Sequence, residues 1–396
     1  MKKVPRLRFR GFQEDWELCK FERIFEKVKS YSLSREVETN EFTGMKYIHY
    51  GDIHTKKADK VSENSNIPNI IKKNFALLEI GDLILTDASE DYKGIATPAV
   101  IRENTSFDIV AGLHTIALRP KNIDPMFLYY LIKAPTFRKY GYKVGTGMKV
   151  FGISSSKVLD FTTYIPKNDE TKLVSSFLEK IDYALDLHQR KLDQLKELKK
   201  AYLQLMFPKK DETVPQVRFA NFEENWELCK LENIIEKQIK GKAKVENLCN
   251  GSVEYLDANR LNGGKPIYTK ALPDVSERDI IILWDGSKAG KVYYGFKGVL
   301  GSTLKAYQLK ECANSQFIYQ QLLDNQNNIY NNYRTPNIPH VVKNFSSIFP
   351  IWMTSFEEQS QMADILSNLD NRIILQQNLT DTMISLKKSY LQNMFI

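Results

Sequence analysis

Apolar residues recur at alternating spacings of four and three along two long segments of the chain. This spacing is typical of helices that pair through a coiled-coil seam. Residues 169–207 would span about 58 Å as one helix, and residues 355–396 form the second segment. Neither segment contains an internal Pro or Gly, so each is predicted to be one long helix. The seam positions are Val174, Leu178, Ile181, Leu185, His188, Leu192, Leu195, Lys199 and Tyr202 in the first, and Met362, Leu366, Leu369, Ile373, Gln376, Thr380, Met383, Lys387 and Tyr390 in the second.

The chain contains two copies of one unit. Residues 4–27 and 214–237 are identical at fifteen of 24 positions, and the phrase FQEDWELCK returns as FEENWELCK. Downstream, LKKAYLQLMF (198–207) returns as LKKSYLQNMF (386–395). An internal repeat of this kind indicates a duplicated architecture.

A long variable block lies between the shared ends of each copy, and a similar order of elements is predicted in both blocks. An apolar strand leads into a polar turn with glycine, an amphipathic helix follows, and a strand ending in proline comes last. The matched segments are 81–94 and 278–291 for the strand and turn, 127–140 and 317–330 for the helix, and 158–166 and 342–350 for the last strand.

These patterns predict a mixed α+β fold with two α/β domains and two long antiparallel coiled-coil helices, related by a pseudo-twofold axis. The expected regions are a first domain (1–168), a central helix (169–207), a second domain (208–354) and a C-terminal helix (355–396). Polar residues occupy equivalent seam positions, His188 with Gln376 and Lys199 with Lys387. They either set the register as buried pairs or are partly exposed, and the sequence leaves both open.

Charge and composition favour a polyanionic partner. The net charge is +8, and the excess lies in the two variable blocks. No run of 18 apolar residues occurs, so no membrane span is predicted. The four cysteines form no CxxC pair, which is consistent with a reducing, cytoplasmic location.

Few residues carry a catalytic pattern. The segment GSKAGKV (286–292) lacks one spacer residue and the terminal Ser or Thr of a Walker A loop. The histidines form no HExxH motif, and no metal site is predicted. We therefore expect a binding scaffold with no catalytic residue.

The openings PRLRFRGFQEDWELCK and PQVRFANFEENWELCK, together with the LKKxYLQxMF closings, resemble the specificity subunit of type I restriction-modification enzymes over the whole chain. The resemblance implies two target recognition domains that each read one half of an asymmetric bipartite site in double-stranded DNA. It implies helices that set the spacer and dock two methyltransferase subunits, through which restriction subunits join. S-adenosylmethionine, ATP and Mg would belong to those partners, and this chain would bind no cofactor.

One departure from the family pattern is visible at a helix start. The family helix opens with Glu-Glu-Gln, as Glu357, Glu358 and Gln359 do here, whereas the central helix opens with Asp169, Glu170 and Thr171. A contact at the start of the central helix is therefore expected to be weaker.

DNA-contacting residues are expected in polar, basic loops that lie at corresponding places in the two domains. Arg pairs bidentately with guanine and Asn with adenine, while glycines allow close backbone approach. The predicted DNA-binding residues are Arg138, Lys139, Lys143, Gly145, Gly147 and Lys149 in the first domain, and Ser287, Lys288, Lys291, Asn331, Asn332, Tyr333, Arg334 and Asn337 in the second.

The helices are expected to serve pairing and partner docking. The aromatic closings either pack onto an opening phrase or belong to a partner surface. The predicted helix residues are Leu178, Ile181, Leu185, His188, Leu192, Leu195, Tyr202, Leu366, Leu369, Ile373, Gln376, Met383 and Tyr390. Alternative functions are a coiled-coil adaptor that binds only proteins and a specificity subunit for a fused restriction-methylation polypeptide.

Overall fold

The structure is a computed structural model that describes residues 3–147, 150–209, 212–244, 251–336 and 339–396. The chain divides into two compact units. Unit 1 comprises Met1–His188 with Leu379–Ile396, and unit 2 comprises Gln189–Asn378. Each unit therefore contains one variable block and part of both long helices. The mixed α+β content predicted from the sequence is confirmed.

Unit 1 contains a five-stranded sheet in the order β2-β11-β7-β9-β5 and a four-stranded sheet in the order β10-β4-β6-β3, beside the two-stranded pairs β1-β13 and β8-β12. Its strands are β1 (Glu17–Lys20), β2 (Phe25–Val28), β3 (Glu38–Thr39), β4 (Met45–Ile48), β5 (Lys60–Val61), β6 (Asn69–Ile70), β7 (Leu83–Thr86), β8 (Ala88–Ser89), β9 (Pro98–Ile101), β10 (Asp108–Ala111), β11 (Thr115–Pro120), β12 (Phe151–Gly152) and β13 (Thr162–Ile165). Its helices are α1 (Phe21–Ile24), α2 (Tyr50–His54), α3 (Pro125–Lys133), α4 (Pro135–Val144), α5 (Ser155–Leu159) and the first half of α6 (Asn168–Met206), with a 3₁₀ turn at Arg35–Val37.

Unit 2 repeats this plan with sheets in the orders β15-β21-β18-β19 and β17-β16-β20, beside the pair β14-β22. Its strands are β14 (Glu227–Lys230), β15 (Ile235–Lys240), β16 (Val253–Leu256), β17 (Ile267–Thr269), β18 (Ile280–Leu283), β19 (Val292–Tyr293), β20 (Val299–Leu300), β21 (Leu304–Leu309) and β22 (Pro350–Met353). Its helices are α7 (Leu231–Ile234), α8 (Ala258–Leu261), α9 (Ser315–Asp324), α10 (Gln326–Asn332), α11 (Phe345–Ile348) and most of α12 (Phe356–Asn393).

The segments predicted as single amphipathic helices are each broken in two, which corrects the sequence reading. In unit 1 the break falls at Ala134 before Pro135, because proline disfavours a helical conformation in the preceding residue. Helix α3 is buried from Met126 through Ile132, so it is a core helix and has no solvent face there. In unit 2 the break falls at Asn325.

The last predicted strand of each block is also shorter than expected. In unit 1, Val158 and Leu159 end helix α5, and only Thr162–Ile165 forms the strand before the proline. In unit 2, Phe345–Ile348 is helical and the strand begins at Pro350 instead of ending there. Proline tolerates the first position of a strand because its missing N–H need not join the ladder there.

The repeated phrase anchors the core of each unit. Trp16 packs edge-on against Phe127 at 6.0 Å between ring centroids, and Phe395 from the C-terminal end lies 5.3 Å from Phe127. In unit 2, Phe207 and Trp226 are 6.0 Å apart in the same edge-on arrangement. Phe207 therefore packs on the opening phrase of unit 2, and in unit 1 Phe395 and Trp16 both pack against Phe127.

A bidentate ion pair ties each opening segment to the first turn of a long helix. Arg8 donates to both carboxylate oxygens of Glu170 at 2.7 and 2.8 Å in unit 1. Arg218 makes the same pair with Glu358 at 2.7 and 2.9 Å in unit 2. Both glutamates are almost completely buried, so these charge-assisted bonds fix where each helix begins.

An aspartate joins the two long helices to the domain within each unit. In unit 1, Asp182 on α6 accepts hydrogen bonds from Lys60 at 2.8 Å and Tyr130 at 2.7 Å, and pairs with Lys387 on α12. Burial alone would raise the pKa of the Asp182 carboxyl, but the bonds from Lys387 and Lys60 outweigh it and lower the pKa.

Unit 2 contains the equivalent junction. Asp370 on α12 accepts from Gln320 of α9 at 2.7 Å and pairs with Lys199 on α6. The seam lysines Lys199 and Lys387 are thus neutralised by aspartates, and each junction holds a helix pair and a domain at one point. We call these two sets of contacts the Asp182 junction and the Asp370 junction.

The two helix starts differ at the position where the family glutamine is replaced. The Gln359 amide accepts from the Asn314 backbone N–H at 2.9 Å and donates to Cys312 and Thr354 carbonyls at 3.1 and 2.7 Å. The Thr171 hydroxyl instead donates to the Asn168 carbonyl of its own helix at 2.6 Å. In unit 2, Gln359 therefore links helix α12 to the domain, and Thr171 on helix α6 does not make the corresponding link in unit 1.

Candidate nucleic-acid interface

In unit 2, two of the predicted loops meet at the end of strand β18. The Trp284 N–H donates to the Thr303 carbonyl at 2.7 Å, and the Val341 N–H donates to the Trp284 carbonyl at 2.9 Å. The next turn is held by a bond of 3.0 Å from the Gly286 N–H to the Pro339 carbonyl. Gly286 has φ +107°, a conformation that glycine adopts without steric cost.

Arg334 connects these loops. Its Nε donates to the Tyr330 carbonyl at 2.7 Å, one terminal nitrogen donates to the Ser287 carbonyl at 3.3 Å, and the guanidinium lies 4.8 Å from the Tyr330 ring centroid. Arg334 thus brings the turn after β18 next to helix α10. Ser287 and Lys288 are exposed beside it.

The remaining predicted residues of the second domain separate into surface and core positions. Asn331 and Asn332 are exposed at the end of α10, and Asn332 donates to the Asn328 side chain at 2.7 Å. Tyr333 is half-buried, with its ring 5.5 Å from Phe345 and 5.2 Å from Phe349 at the centroids, so it packs with the core. Asn337 lies outside the described residues.

A group of lysines surrounds the same strand end. Lys291 donates to the Asn262 side chain at 2.5 Å, and burial, then the like charge of Lys288, lowers its pKa. Lys305 lies over the Trp284 ring at 3.2 Å from its centroid. The pKa of Lys305 is also lowered, by burial first and then by the charge of Lys240, against an opposing effect of Asp285. The positive charges here are close enough to oppose one another, as in an anion-binding surface.

Unit 1 has the same backbone arrangement at the end of strand β7. The Asp87 N–H donates to the His114 carbonyl at 3.1 Å, and the Ile153 N–H donates to the Asp87 carbonyl at 2.8 Å. These two bonds match those of Trp284, so Asp87 stands where Trp284 stands and His114 where Thr303 stands. The predicted segment 137–149 reaches this strand end through the pairing of β12 with β8.

The basic residues of segment 137–149 have different surroundings. Arg138 is half-buried, donates to the Lys93 carbonyl and lies 5.3 Å from the Tyr142 ring centroid. Lys139 and Lys143 are exposed. Arg138 therefore connects α4 to the loop after β8, and Lys139 and Lys143 extend into solvent.

The two predicted glycines lie close to other atoms of the protein, and these neighbours leave no room for a side chain. A Cβ at Gly145 would lie 2.7 Å from the Ile95 side chain. Gly147 has φ +129°, and a Cβ there would collide with the Val150 carbonyl. Their small size is thus required by the loop itself. Lys149 lies outside the described residues.

Sequence reasoning missed the loop that follows β8 as part of this surface. The Tyr92 hydroxyl donates to the Tyr142 carbonyl, and its ring lies 4.7 Å from that of Phe151. In unit 2 it missed Trp284 and Lys305. The available signal was positional, because segments 81–94 and 278–291 match each other and both end their strands at this place.

All of the residues predicted for helix pairing are buried or half-buried. Fully buried members are Leu178, Leu192, Leu195, Leu366, Leu369 and Gln376, and half-buried members are Ile181, Leu185, His188, Tyr202, Ile373, Met383 and Tyr390. In unit 1 the Phe177 and Tyr390 rings meet edge-on at 5.0 Å, while Asp182 pairs with Lys387 further along. Residue numbers rise on one helix as they fall on the other, so the paired segments in unit 1 are antiparallel.

Among the described residues, no group of three or more His, Cys, Asp or Glu side chains is arranged to hold a metal ion. Within the same ranges, none of the helices combines the length and apolar character that a membrane span requires.

Comparison with known proteins places this duplicated fold in a family. A family model described as the type I restriction modification DNA specificity domain matches residues 13–197 and 223–383. The chain belongs to this family. Each of the two matched segments lies within one copy of the internal repeat.

Individual relatives agree with this assignment. The specificity subunit of the type I restriction enzyme MjaVIII from Methanocaldococcus jannaschii is 30% identical over 195 residues, which cover 47% of this chain and 45% of that protein. The match thus spans about half the length of this curated relative.

Two solved structures share the fold. The S subunit of a type I restriction-modification system from M. genitalium has a TM-score of 0.67 at 15% identity, over 99% of both chains. A chain from a structure on complex assembly and conformational transition of the type I R-M system has a TM-score of 0.55 at 13% identity, over 95% of this chain and 96% of that one.

Proposed function

We propose that this chain is the DNA sequence-specificity subunit of a type I restriction-modification complex. Each α/β domain reads one half of an asymmetric bipartite site in double-stranded DNA. The observation that carries the proposal is the strand end after β7 and β18, where one backbone frame presents different polar side chains in the two units. A shared frame with different side chains is what two half-sites of different sequence require.

The charges at the strand end of unit 2 suit DNA. Lys288, Lys291 and Lys305 lie around the residues that connect the two loops. Lys288 repels Lys291, and Lys240 repels Lys305, and phosphates would relieve both repulsions. Asn331 and Ser287 are exposed in the same region and carry groups that bond to base edges.

Exposed leucines on the long helices support docking of two methyltransferase subunits. Leu187 is 46% exposed and its repeat equivalent Leu375 is 69% exposed. Leu198 and its equivalent Leu386 are 41% and 49% exposed. An apolar residue that stays exposed in both copies marks a surface that the duplication provides twice. Restriction subunits would join through the methyltransferase subunits.

Catalysis and cofactors belong to those partners in this proposal. S-adenosylmethionine, ATP and Mg would be bound by the methyltransferase and restriction subunits, and this chain would contribute recognition and geometry. The protein-only adaptor does not account for the two lysine-bearing strand ends, and a fused restriction-methylation partner would use the same recognition surfaces.

The deciding experiment is co-expression of the chain with its neighbouring genes, followed by genome-wide mapping of methylated adenines. A split, asymmetric motif is expected. Replacing residues 208–354 with those of a relative should change one half of the motif only, and a change in both halves would contradict the two-domain account.

Point variants separate DNA contact from subunit docking. Arg334→Ala is expected to weaken DNA binding by about 1–3 kcal/mol if a base contact is lost, with methyltransferase subunits still bound. Leu375→Glu and Leu187→Glu should instead reduce copurification of those subunits. Arg334→Ala with wild-type affinity for the mapped site would remove this loop from the interface.

A further inference from the structure

We propose that Asp87 contacts a cytosine in the half-site read by unit 1, through the amino group at N4 in the major groove, and that His114 is its positioning residue. This inference rests on the proposed function and adds a specificity-determining residue to it. Sequence reasoning did not select either residue.

Asp87 occupies a reading position by equivalence with unit 2. Its backbone makes the two hydrogen bonds that Trp284 makes, directly after the strand and directly before the polar turn. In unit 2 this position carries an indole with Lys305 above it, within a group of cations. In unit 1 the same position carries a carboxylate that is 36% exposed.

The carboxylate is held by one side chain and leaves one oxygen to solvent. Asp87 Oδ1 lies 3.0 Å from His114 Nδ1. No other side-chain hydrogen bond to this carboxylate is formed within the described part of the chain. Oδ2 is therefore available as an acceptor, while the bond at Oδ1 fixes the direction of the group.

His114 adopts a backbone conformation that non-glycine residues seldom use, with φ +56°. Such conformations persist where surrounding contacts enforce them, and they concentrate at binding sites. Here the Tyr50 ring packs edge-on against the imidazole at 5.3 Å, and the Asp87 bond holds it from the other side. These contacts fix the direction of the Asp87–His114 pair.

A cleft open to a ligand is lined by Tyr50, whose ring contacts His114, although Asp87 and His114 do not line it themselves. It has a volume of about 770 Å³ and is lined by Tyr50, His54, Ser89, Glu90 and Lys93 among others. The loop that forms one wall is the loop contacted by Arg138, so the cleft and the basic segment of unit 1 belong to one surface.

The chemistry of a carboxylate narrows the ligand to an amino group. A carboxylate repels phosphates, so it weakens non-specific DNA binding and is useful only against a donor on a base edge. In the major groove the exocyclic donors are cytosine N4 and adenine N6. Aspartate and glutamate accept from cytosine N4, whereas adenine is read bidentately by Asn or Gln, which offer both a donor and an acceptor.

The test uses the complete complex with its methyltransferase subunits and compares methylated motifs of wild type, Asp87→Asn and His114→Asn. Asparagine tolerates the positive φ at His114. We expect Asp87→Asn to lose about tenfold or more of the preference for cytosine at one position of the unit 1 half, with adenine gaining. His114→Asn should weaken the preference at that same position. The unit 2 half should be unchanged.

Asp108→Asn is the matched control, because Asp108 is equally exposed and pairs with Lys72 on another sheet of the same unit. It should leave the motif unchanged. An unchanged motif in Asp87→Asn, at either normal or reduced methylation, would overturn the base contact and leave the proposed function standing. A wild-type complex without a bipartite motif would overturn the function and this inference together.

Discussion

Unit 1 and unit 2 share the contacts that hold their helices and differ at the strand end that we propose as the DNA-reading surface. Both have a buried tryptophan, a bidentate Arg–Glu pair and an aspartate junction at equivalent positions. At the strand end, unit 1 has Asp87 bonded to His114, and unit 2 has Trp284 covered by Lys305. The side chains retained in both units have partners within the protein, whereas the side chains that differ are those proposed to meet DNA.

The tryptophans should give the largest effects and show whether the supporting contacts are equivalent. Trp16→Ala and Trp226→Ala are each expected to lower the free energy of unfolding by about 3–5 kcal/mol, because each leaves a cavity in a core. Trp284→Ala in unit 2 should cost much less, since Trp284 is half-buried at the surface. Urea denaturation followed by circular dichroism measures all three, and similar losses for Trp226 and Trp284 would contradict this division.

The two aspartate junctions allow a finer comparison of the units, because the two carboxylates have different numbers of donors. Asp182 has three donors and Asp370 has two. Replacing either by Ala leaves partly buried donors unsatisfied and should cost about 1–3 kcal/mol, with the larger loss for Asp182. Equal losses in urea denaturation would show that the additional donor contributes nothing.

Acid should weaken the Asp182 junction in a defined direction. The pKa of this carboxyl is lower in the folded chain than the unfolded value of about 3.9. The Asp182 carboxylate therefore contributes fully to the free energy of unfolding above the unfolded pKa. This contribution is lost as the pH falls from the unfolded pKa through the folded pKa. The stability difference between wild type and Asp182→Asn should be constant from pH 7 to 5 and shrink below about pH 4. If the stability difference between wild type and Asp182→Asn grew on acidification, the pKa of Asp182 would be raised by folding and not lowered.

Exchange of the two helix-start residues should give the smallest effect. Gln359→Thr removes three hydrogen bonds between helix α12 and its surroundings and is expected to cost about 1 kcal/mol net. Thr171→Gln in unit 1 should not stabilise, because Thr171 is fully buried and the longer side chain has no space. A gain in the melting temperature of Thr171→Gln would show that unit 1 has room for the family contact.

The long helices were predictable because their apolar residues follow a local periodicity, and the repeat was predictable because its phrases recur with high identity. The seam positions are buried or half-buried as the spacing of four and three predicts. The sequence analysis predicted one amphipathic helix where the structure has two. An apolar run such as that around Tyr129 occurs in buried helices as well as in amphipathic ones, so the run alone did not distinguish them. Pro135 was a visible signal for the break.

The site was less predictable because its residues come from separated segments. Tyr333 lies in a polar, basic segment and was therefore predicted to contact DNA, yet its ring packs with Phe345 and Phe349. Asp87 and His114 are 27 residues apart, and only the pairing of β7 with β11 brings them together. Charge alone could not select Asp87, since a search for DNA contacts favours basic residues.

The composition of the unit 1 core has a consequence for synthesis of the chain. Met394 and Phe395 belong to the cluster that contains Trp16, whereas the core of unit 2 is built from a continuous stretch, Gln189–Asn378. On the ribosome, domains usually fold in the order in which they emerge. Here unit 2 can complete its core first, and unit 1 must wait, with Trp16 and Phe127 uncovered, until Met394 and Phe395 have emerged.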